Sequence, residues 1–246
     1  MPNSISSMAT DVPRSVRSFV VRGGRTTRAQ RRAIDVLWAR FGLEPDEVID
    51  PHRHFGRPGP LYLEIGFGNG EALLELAAAH PSRNYVGVEV HPPGIGRLLA
   101  GVAAAGIDNI RVIRGDALEV LEQAVADGSL AGINVWFPDP WPKKRHHKRR
   151  LVQPATMALM ARRLAPGGIL HLATDWQEYA EHMLRVVSAV PGLANLDEKG
   201  AFYHRPTERP VTRFQRRGEA LGHGVWDLLL ERRLPEAGDG EPGETP

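Results

Sequence analysis

Cysteine is absent from all 246 residues, which excludes disulfides, thiolate metal sites and a cysteine nucleophile. No apolar run approaches the length needed to span a bilayer, and the N-terminus lacks the apolar core of a secretory signal. A cytoplasmic protein with no membrane partner is therefore expected. Nor does any G-x-x-x-x-G-K-[ST] run occur, which removes the phosphate-cradling loop of nucleoside triphosphatases. The rest of the composition, 42% hydrophobic and 24% charged, is ordinary for a chain that can bury one sizeable core.

Charge of one sign is missing from each end. Between Val12 and Ile34 there is no acid but seven arginines, Arg14, Arg17, Arg22, Arg25, Arg28, Arg31 and Arg32. From Pro235 onward there is no base, and Glu236, Asp239, Glu241 and Glu244 lie among proline and glycine. The reading is a basic flexible arm over 1–30, a folded domain over 31–234 and a disordered acidic tail over 235–246. A second basic block runs from Lys143 to Arg150, with six Lys/Arg and two His in eight residues. Two separated basic blocks on a chain of net charge +2 point to a polyanion partner, although charge alone fits a solvated face equally well.

Between the ends, short apolar runs alternate with helical segments. A helix is expected around Arg28–Phe41, then a Pro/Gly/His connector from Pro51 to Pro60. LYLEI, NYVGVEV, NIRVIRGD, GINVWF and ILHLATD read as strands, with GVWDLLLERR as a late one. EALLELAAA, GIGRLLAGVAAAG, ALEVLEQAVADG, PATMALMARRLAPGG and WQEYAEHMLRVVSAV read as the helices between them. Repeated β-α units of these lengths predict an α/β fold with a doubly wound, mostly parallel sheet. Ligands of such sheets sit outside the carboxyl ends of the strands, so the residues closing each strand are the candidates.

The first strand closes with Glu64 and a turn carrying Gly66, Gly68 and Gly70. Those glycines let backbone pass close to a ligand, and the next helix aims its first N–H groups there. Glu71 stands where a dinucleotide fingerprint has its third glycine, which argues against NAD. The second strand ends in Glu89 and the third reaches Asp116. An acid closing the second strand suits two ribose hydroxyls. Asp116 suits an adenine amine, and Glu64 a cationic group. A ring of carboxylates would repel a pyrophosphate, whereas S-adenosylmethionine offers a ribose, an adenine, an ammonium and a sulfonium. Each acid taken singly also fits a helix cap or a solvated side chain, whereas three at consecutive strand ends favour a methyl donor.

The fourth strand runs into VWFPDPWPKKRHHKRRL, Val135 to Leu151. Pro138 and Pro140 fix the backbone around Asp139, which would lie beside the donor's methyl group. Trp136, Phe137 or Trp141 can stack on a base or wall the site. Core packing accounts for the tryptophans taken alone, and a solvated loop for the cations taken alone. Acid, aromatics and cations together at a strand end favour an enzyme that modifies a nucleic-acid base. No carboxylate–histidine spacing near His146 and His147 marks a metal site, so no metal is expected.

Six segments in order, LEIGFGNG, VGVEVH, GDA, FPDPWPKKRHHKRRLVQP, ATDWQEYA and RPVTRFQRRGEALGHGVWDL, resemble the bacterial tRNA (guanine-46-N7)-methyltransferases. SFVVRGGRTTRAQ resembles that family's N-terminus, and the likeness runs from about Ser18 to Arg232. The resemblance implies a Rossmann-like class I methyltransferase fold. It implies methyl transfer from S-adenosylmethionine to N7 of a guanosine in the tRNA variable loop. Carried across, Glu64, Glu89 and Asp116 hold the donor with the glycine turn, and Asp139 lies at the donor–guanine junction as the catalytic residue. Lys143, Asp175, Thr212, Arg213, Phe214 and Gln215 match substrate-contacting positions. Where the family usually reads T-K-F-E this chain reads T-R-F-Q, which removes an ionic role from position 215. Arg145, Lys148, Arg149 and Arg150 are expected on the tRNA backbone.

Two rival readings stay open on sequence. Asp139-Pro140-Trp141 loosely matches the D/N-P-P-Y/F turn of enzymes that methylate exocyclic amines in RNA or DNA, with Trp141 departing from it. A non-catalytic RNA-binding protein on a decayed donor fold is the other, against which stand the three strand-end acids. A small-molecule methyltransferase would leave both basic blocks without a task. No obligatory protein partner is implied, and monomer and homodimer are equally compatible with the sequence.

Overall fold

Alternation along single strands decides how the sheet is clothed. Leu61, Leu63 and Ile65 turn to one apolar cluster, while Tyr62 between them packs against the other. The computed structural model describes residues 25–233 apart from 198, 204–207, 212, 221 and 223. In chain order the elements are α1 (Arg28–Phe41), β1 (Gly42–Leu43), α2 (Pro51–Phe55), β2 (Leu61–Ile65), α3 (Glu71–Ala79) and β3 (Asn84–Glu89). Then come α4 (Pro92–Ala105), β4 (Ile110–Arg114), α5 (Ala117–Gln123), β5 (Leu130–Trp136) and a 3-10 helix (Lys144–Arg149). The chain continues through α6 (Pro154–Arg163), β6 (Leu164–Thr174), α7 (Gln177–Val187), β7 (Leu193–Asn195), α8 (Arg213–Ala220) and β8 (Trp226–Arg232).

The eight strands form one sheet in the order β1-β4-β3-β2-β5-β6-β8-β7. Pairing is parallel from β1 across to β6, and antiparallel where β8 joins β6 and β7 joins β8. The expected doubly wound, mostly parallel sheet is therefore present. One face carries residues of α1, α3 and α4, among them Leu73, Ile95, Leu98 and Leu99. The other carries residues of α5, α6 and α7, among them Leu121, Met157 and Met183. Each such fully buried aliphatic side chain contributes roughly 1.5–3 kcal/mol. From β2 the chain winds outward through β3 to β4, then returns to the other side of β2 as β5 and moves on to β6. The strand order thus reverses between β2 and β5, which is where a doubly wound sheet opens a crevice at its carboxyl edge.

α1 starts where its sequence signal lies. Thr27 Oγ1 accepts from the Gln30 N–H at 3.2 Å and Gln30 Oε1 accepts from the Thr27 N–H at 2.9 Å, a reciprocal cap. Arg28, Arg31 and Arg32 consequently ride on a helix, while Arg14, Arg17, Arg22 and the acidic tail lie outside the described residues. Three expectations need correction. The connector holds a short helix, α2, because Asp50 caps its N-terminus and Gly56 closes it in the left-handed region. The helix read as PATMALMARRLAPGG stops at Arg163, and Leu164 to Gly168 begin β6. Pro166 disfavours helix at Ala165 before it, and Gly167 has φ of 75°, so the chain leaves the helix and enters the sheet through an irregularity between Leu130 and Gly132. α5 is likewise shorter than its apolar pattern, ending at Gln123.

Candidate active site

One half of the crevice, where the sequence places the donor acids, is built on β2, β3 and β4. After Ile65 the chain turns through Gly66 at φ 71°, a left-handed conformation that costs glycine little. A Cβ at Gly66 would meet nothing within 4 Å, so the turn presents bare backbone to open space. Beneath it, a Cβ at Gly94 would collide with the Gly68 carbonyl, which fixes how closely α4 approaches the turn. Glu89 holds the loops in place. Its carboxylate accepts from the N–H groups of Gly68 at 2.9 Å, Val90 at 2.6 Å and His91 at 3.0 Å. Asp116 caps α5, accepting from the Leu118 N–H at 2.9 Å.

Glu64 is different in kind. It is 5% exposed, and its Oε2 has no hydrogen-bond partner among the described residues. Burial, with the neighbouring Glu89 carboxylate second, pushes its pKa up to about 8. A buried acid lacking a counter-charge, beside a backbone turn facing open space, suits a cationic ligand with its own donors. These residues therefore fit S-adenosylmethionine.

The other half is built on β5, β6 and α8. Trp136 pairs with Ala173 across the parallel β5–β6 ladder, and the Phe137 N–H donates to the Ala173 carbonyl at 2.8 Å. Asp139 and Asp175 thus follow the ends of adjacent strands. Phe137 and Trp141 adopt φ of 54° and 45°, the two non-glycine residues in the left-handed region among those described. Each costs about 1–3 kcal/mol and persists where its surroundings over-determine it. Arg150 Nε donates to the Pro140 carbonyl at 2.9 Å, and the Arg149 guanidinium lies 5.0 Å from the Trp141 ring centre. Asp139 is exposed at the apex between them. α8 closes over this side: a Cβ at Gly218 would lie 3.1 Å from Asp175 Oδ2. Arg216 of α8 comes within 3.9 Å of Glu71 at the start of α3, which ties the helix to the donor half.

Within the basic run, Lys143, Arg145 and Lys148 are exposed and Arg149 is partly buried against Trp141. Arg150, expected on the tRNA backbone, is corrected by the structure. Its side chain is 0% exposed, forms a two-point pair with Glu178 and lies 4.9 Å over the Tyr179 ring. That hydrogen bond holds Glu178 below the usual carboxylate range. The charge pattern cannot separate Arg149 from Arg150, because the distinction comes from Glu178 and Tyr179, 28 or more residues away. No group of three metal-ligating side chains occurs among the described residues.

Thr212 and the side chains of Arg213 and Phe214 lie outside the described residues. Gln215 is 2% exposed, and its Oε1 accepts from Arg209 Nη1 at 2.7 Å. Sequence reasoning missed the group it joins. Arg209, 0% exposed, places Nη2 2.8 Å from Asp227 Oδ2 and Nε 2.6 Å from Asp227 Oδ1. His171 Nε2 is 2.7 Å from the same Oδ1, and the His171 ring meets Trp136 edge-on at 5.3 Å. Burial lowers the His171 pKa against the pull of Asp227, so its neutral ring donates through Nε2. Burial alone would raise Asp227, but His171 and Arg209 together hold it below the usual range. One signal was available: Asp227 inside the run WDLLL is an acid in a buried strand, which requires a buried cation.

Comparison with known proteins gives this arrangement a family. Residues 58–228 match the family described as "Putative methyltransferase". A tRNA (guanine-N(7)-)-methyltransferase of Alcanivorax borkumensis is 55% identical over 223 residues, covering 90% of this chain and 93% of the relative. That of Pseudomonas aeruginosa strain PAO1 is 58% identical over 220 residues, 89% of this chain and 90% of the relative. The chain belongs to the tRNA (guanine-N7)-methyltransferase family. Among solved structures, the 16S rRNA methyltransferase KamB superposes with a TM-score of 0.56 at 18% identity, over 76% of this chain and 95% of that one. The [4+2]-cyclase SpnF superposes with a TM-score of 0.51 at 14% identity, over 84% of this chain and 81% of that one. The pair shows the Rossmann-like fold alone, since a methyltransferase and a cyclase share it. Family membership rests on the relatives and on the family match over residues 58–228.

Proposed function

We propose that this chain transfers a methyl group from S-adenosylmethionine to N7 of a guanosine in tRNA, guanosine 46 of the variable loop. The observation that carries the reading is identity of 55% and 58%, over about nine-tenths of both chains, with relatives named for N7 methylation of tRNA guanine. When bound, S-adenosylmethionine supplies an electrophilic methyl group on a sulfonium. Glu64 faces its cationic part, Glu89 and Asp116 its ribose and adenine, and the bare turn at Gly66 its backbone-side surface.

N7 of guanine carries a free lone pair and no proton, so this chain needs no general base. Asp139 and Asp175 orient the base through its N1–H and exocyclic amine, and that positioning supplies much of the rate. The methylated base is cationic, and both carboxylates stabilise that charge as it forms. Lys143, Arg145, Lys148 and Arg149 contribute affinity for phosphates without choosing sequence. Incubating the protein with unmodified tRNA transcripts and methyl-labelled donor, followed by nucleoside analysis, tests the reading. Label in 7-methylguanosine is expected; label in a methylated amine would replace the reaction with its exocyclic-amine rival.

A further inference from the structure

We propose that Arg209 and Gln215 are positioning residues for methyl transfer, joined as a buried clamp that sets the Asp139 turn, the end of β6 and α8 in one arrangement. The inference rests on the function proposed above, because it names what holds that site together. Three observations meet at Arg209. Its guanidinium pairs with Asp227, Nη2 donating to Oδ2, and Asp227 is in register with Ala173, two residues before Asp175. Its Cζ lies 5.5 Å from the centre of the Phe137 ring, at the strained residue that opens the turn carrying Asp139. Its remaining arm reaches Gln215 of α8, the helix whose Gly218 lies against Asp175. Arg209 therefore touches the Asp139 turn and α8 directly, and reaches the end of β6 through Asp227 of β8.

This assigns Gln215 a task other than contact with tRNA. The amide oxygen faces Arg209 in the interior, so the side chain acts through α8. Asp227 supplies the carboxylate for Arg209, and His171 meets the same Oδ1. The Gln215 amide oxygen adds an acceptor for a further guanidinium N–H.

The test compares Gln215→Leu, Gln215→Glu and Arg209→Lys, singly and as the Arg209→Lys/Gln215→Leu double variant, on full-length protein. Gln215→Leu removes the acceptor and leaves the Arg209–Asp227 pair, so the fold persists even where Arg209→Lys does not. Expected for Gln215→Leu is a fall in kcat of about tenfold or more, with KM for tRNA and donor affinity each within about threefold. Gln215→Glu keeps an acceptor and is expected to recover most of kcat. The double variant should be no slower than Arg209→Lys alone, as for two parts of one unit. Hydrogen exchange gives a readout independent of activity: amides of residues 137–141 and of α8 should exchange faster in Gln215→Leu, with those of α4 unchanged. A raised tRNA KM at unchanged kcat, multiplicative losses in the double variant, or unaltered exchange would each overturn the clamp. Absence of 7-methylguanosine from the wild type would instead overturn the reaction, while the exchange data would still decide the clamp.

Discussion

Two buried carboxylates stand within one sheet, Glu64 on β2 and Asp227 on β8, and they are treated in opposite ways. Asp227 is 1% exposed and paired with Arg209 and His171. Glu64 is 5% exposed, has an oxygen with no hydrogen-bond partner among the described residues and has another carboxylate as its electrostatic neighbour. The protein pairs the first by itself, and the partner we propose for the second is a ligand's cationic group. A buried acid is thus ion-paired towards one edge of the sheet and kept protonated in the middle of it.

The contrast can be broken from its stronger side first. Asp227→Ala strands the Arg209 cation in the interior, and urea unfolding should show a loss of about 3–5 kcal/mol. Next, Asp139→Asn removes an exposed carboxylate from the strained turn. Stability should hold while kcat falls by about 10²-fold at normal donor affinity, and near-normal turnover would remove the proposed charge role. Glu64→Gln should be milder, weakening donor affinity about tenfold in calorimetry.

The same substitution sharpens the comparison through pH. Native Glu64 keeps its proton up to about 8, whereas an unfolded glutamate loses it near 4.5. The native state therefore binds more protons across that window, and the Glu64 contribution to stability falls as pH rises through it. The wild-type curve of unfolding free energy should decline more steeply over this range than that of Glu64→Gln. Donor binding near neutral pH should release a proton in the wild type alone, visible as a buffer-dependent binding enthalpy. The smallest effects concern the basic run. Arg145→Ala and Lys148→Ala should each reduce the slope of log affinity against log salt by about 0.7–0.9. Arg150→Lys should leave that slope unchanged, since its guanidinium is spent on Glu178 and Pro140.

Much of this was legible in the sequence. β2 to β6 announce themselves because strands buried on both faces read as apolar runs, and the glycine turn and strand-end acids follow from where those runs stop. What escaped is what depends on distant partners. RFQRRGEA has no apolar stripe to mark α8, which is held by Gln215, Gly218 and Arg216 contacts instead. Arg150 looks like its five neighbouring cations until Glu178 is placed beside it. Arg209 before Pro210 resembles a solvated turn, and its burial follows from β8 lying antiparallel against β6. Glu89 was expected to reserve itself for a ribose, yet in the protein alone it also orders three backbone N–H groups.

The sheet order also dictates when a growing chain acquires each half of its crevice. By Asp116 the ribosome has supplied β2, β3, β4 and all three acids proposed for the donor. The β5 and β6 ends follow, but Arg209, Gln215 and Asp227 emerge last. At about 5–20 residues per second, the interval from Asp116 to β8 lasts several seconds to about 20 seconds. Until β8 is made, Arg209 lacks Asp227 and β6 lacks its antiparallel neighbour. The clamp proposed above is therefore the last part of the crevice that synthesis completes.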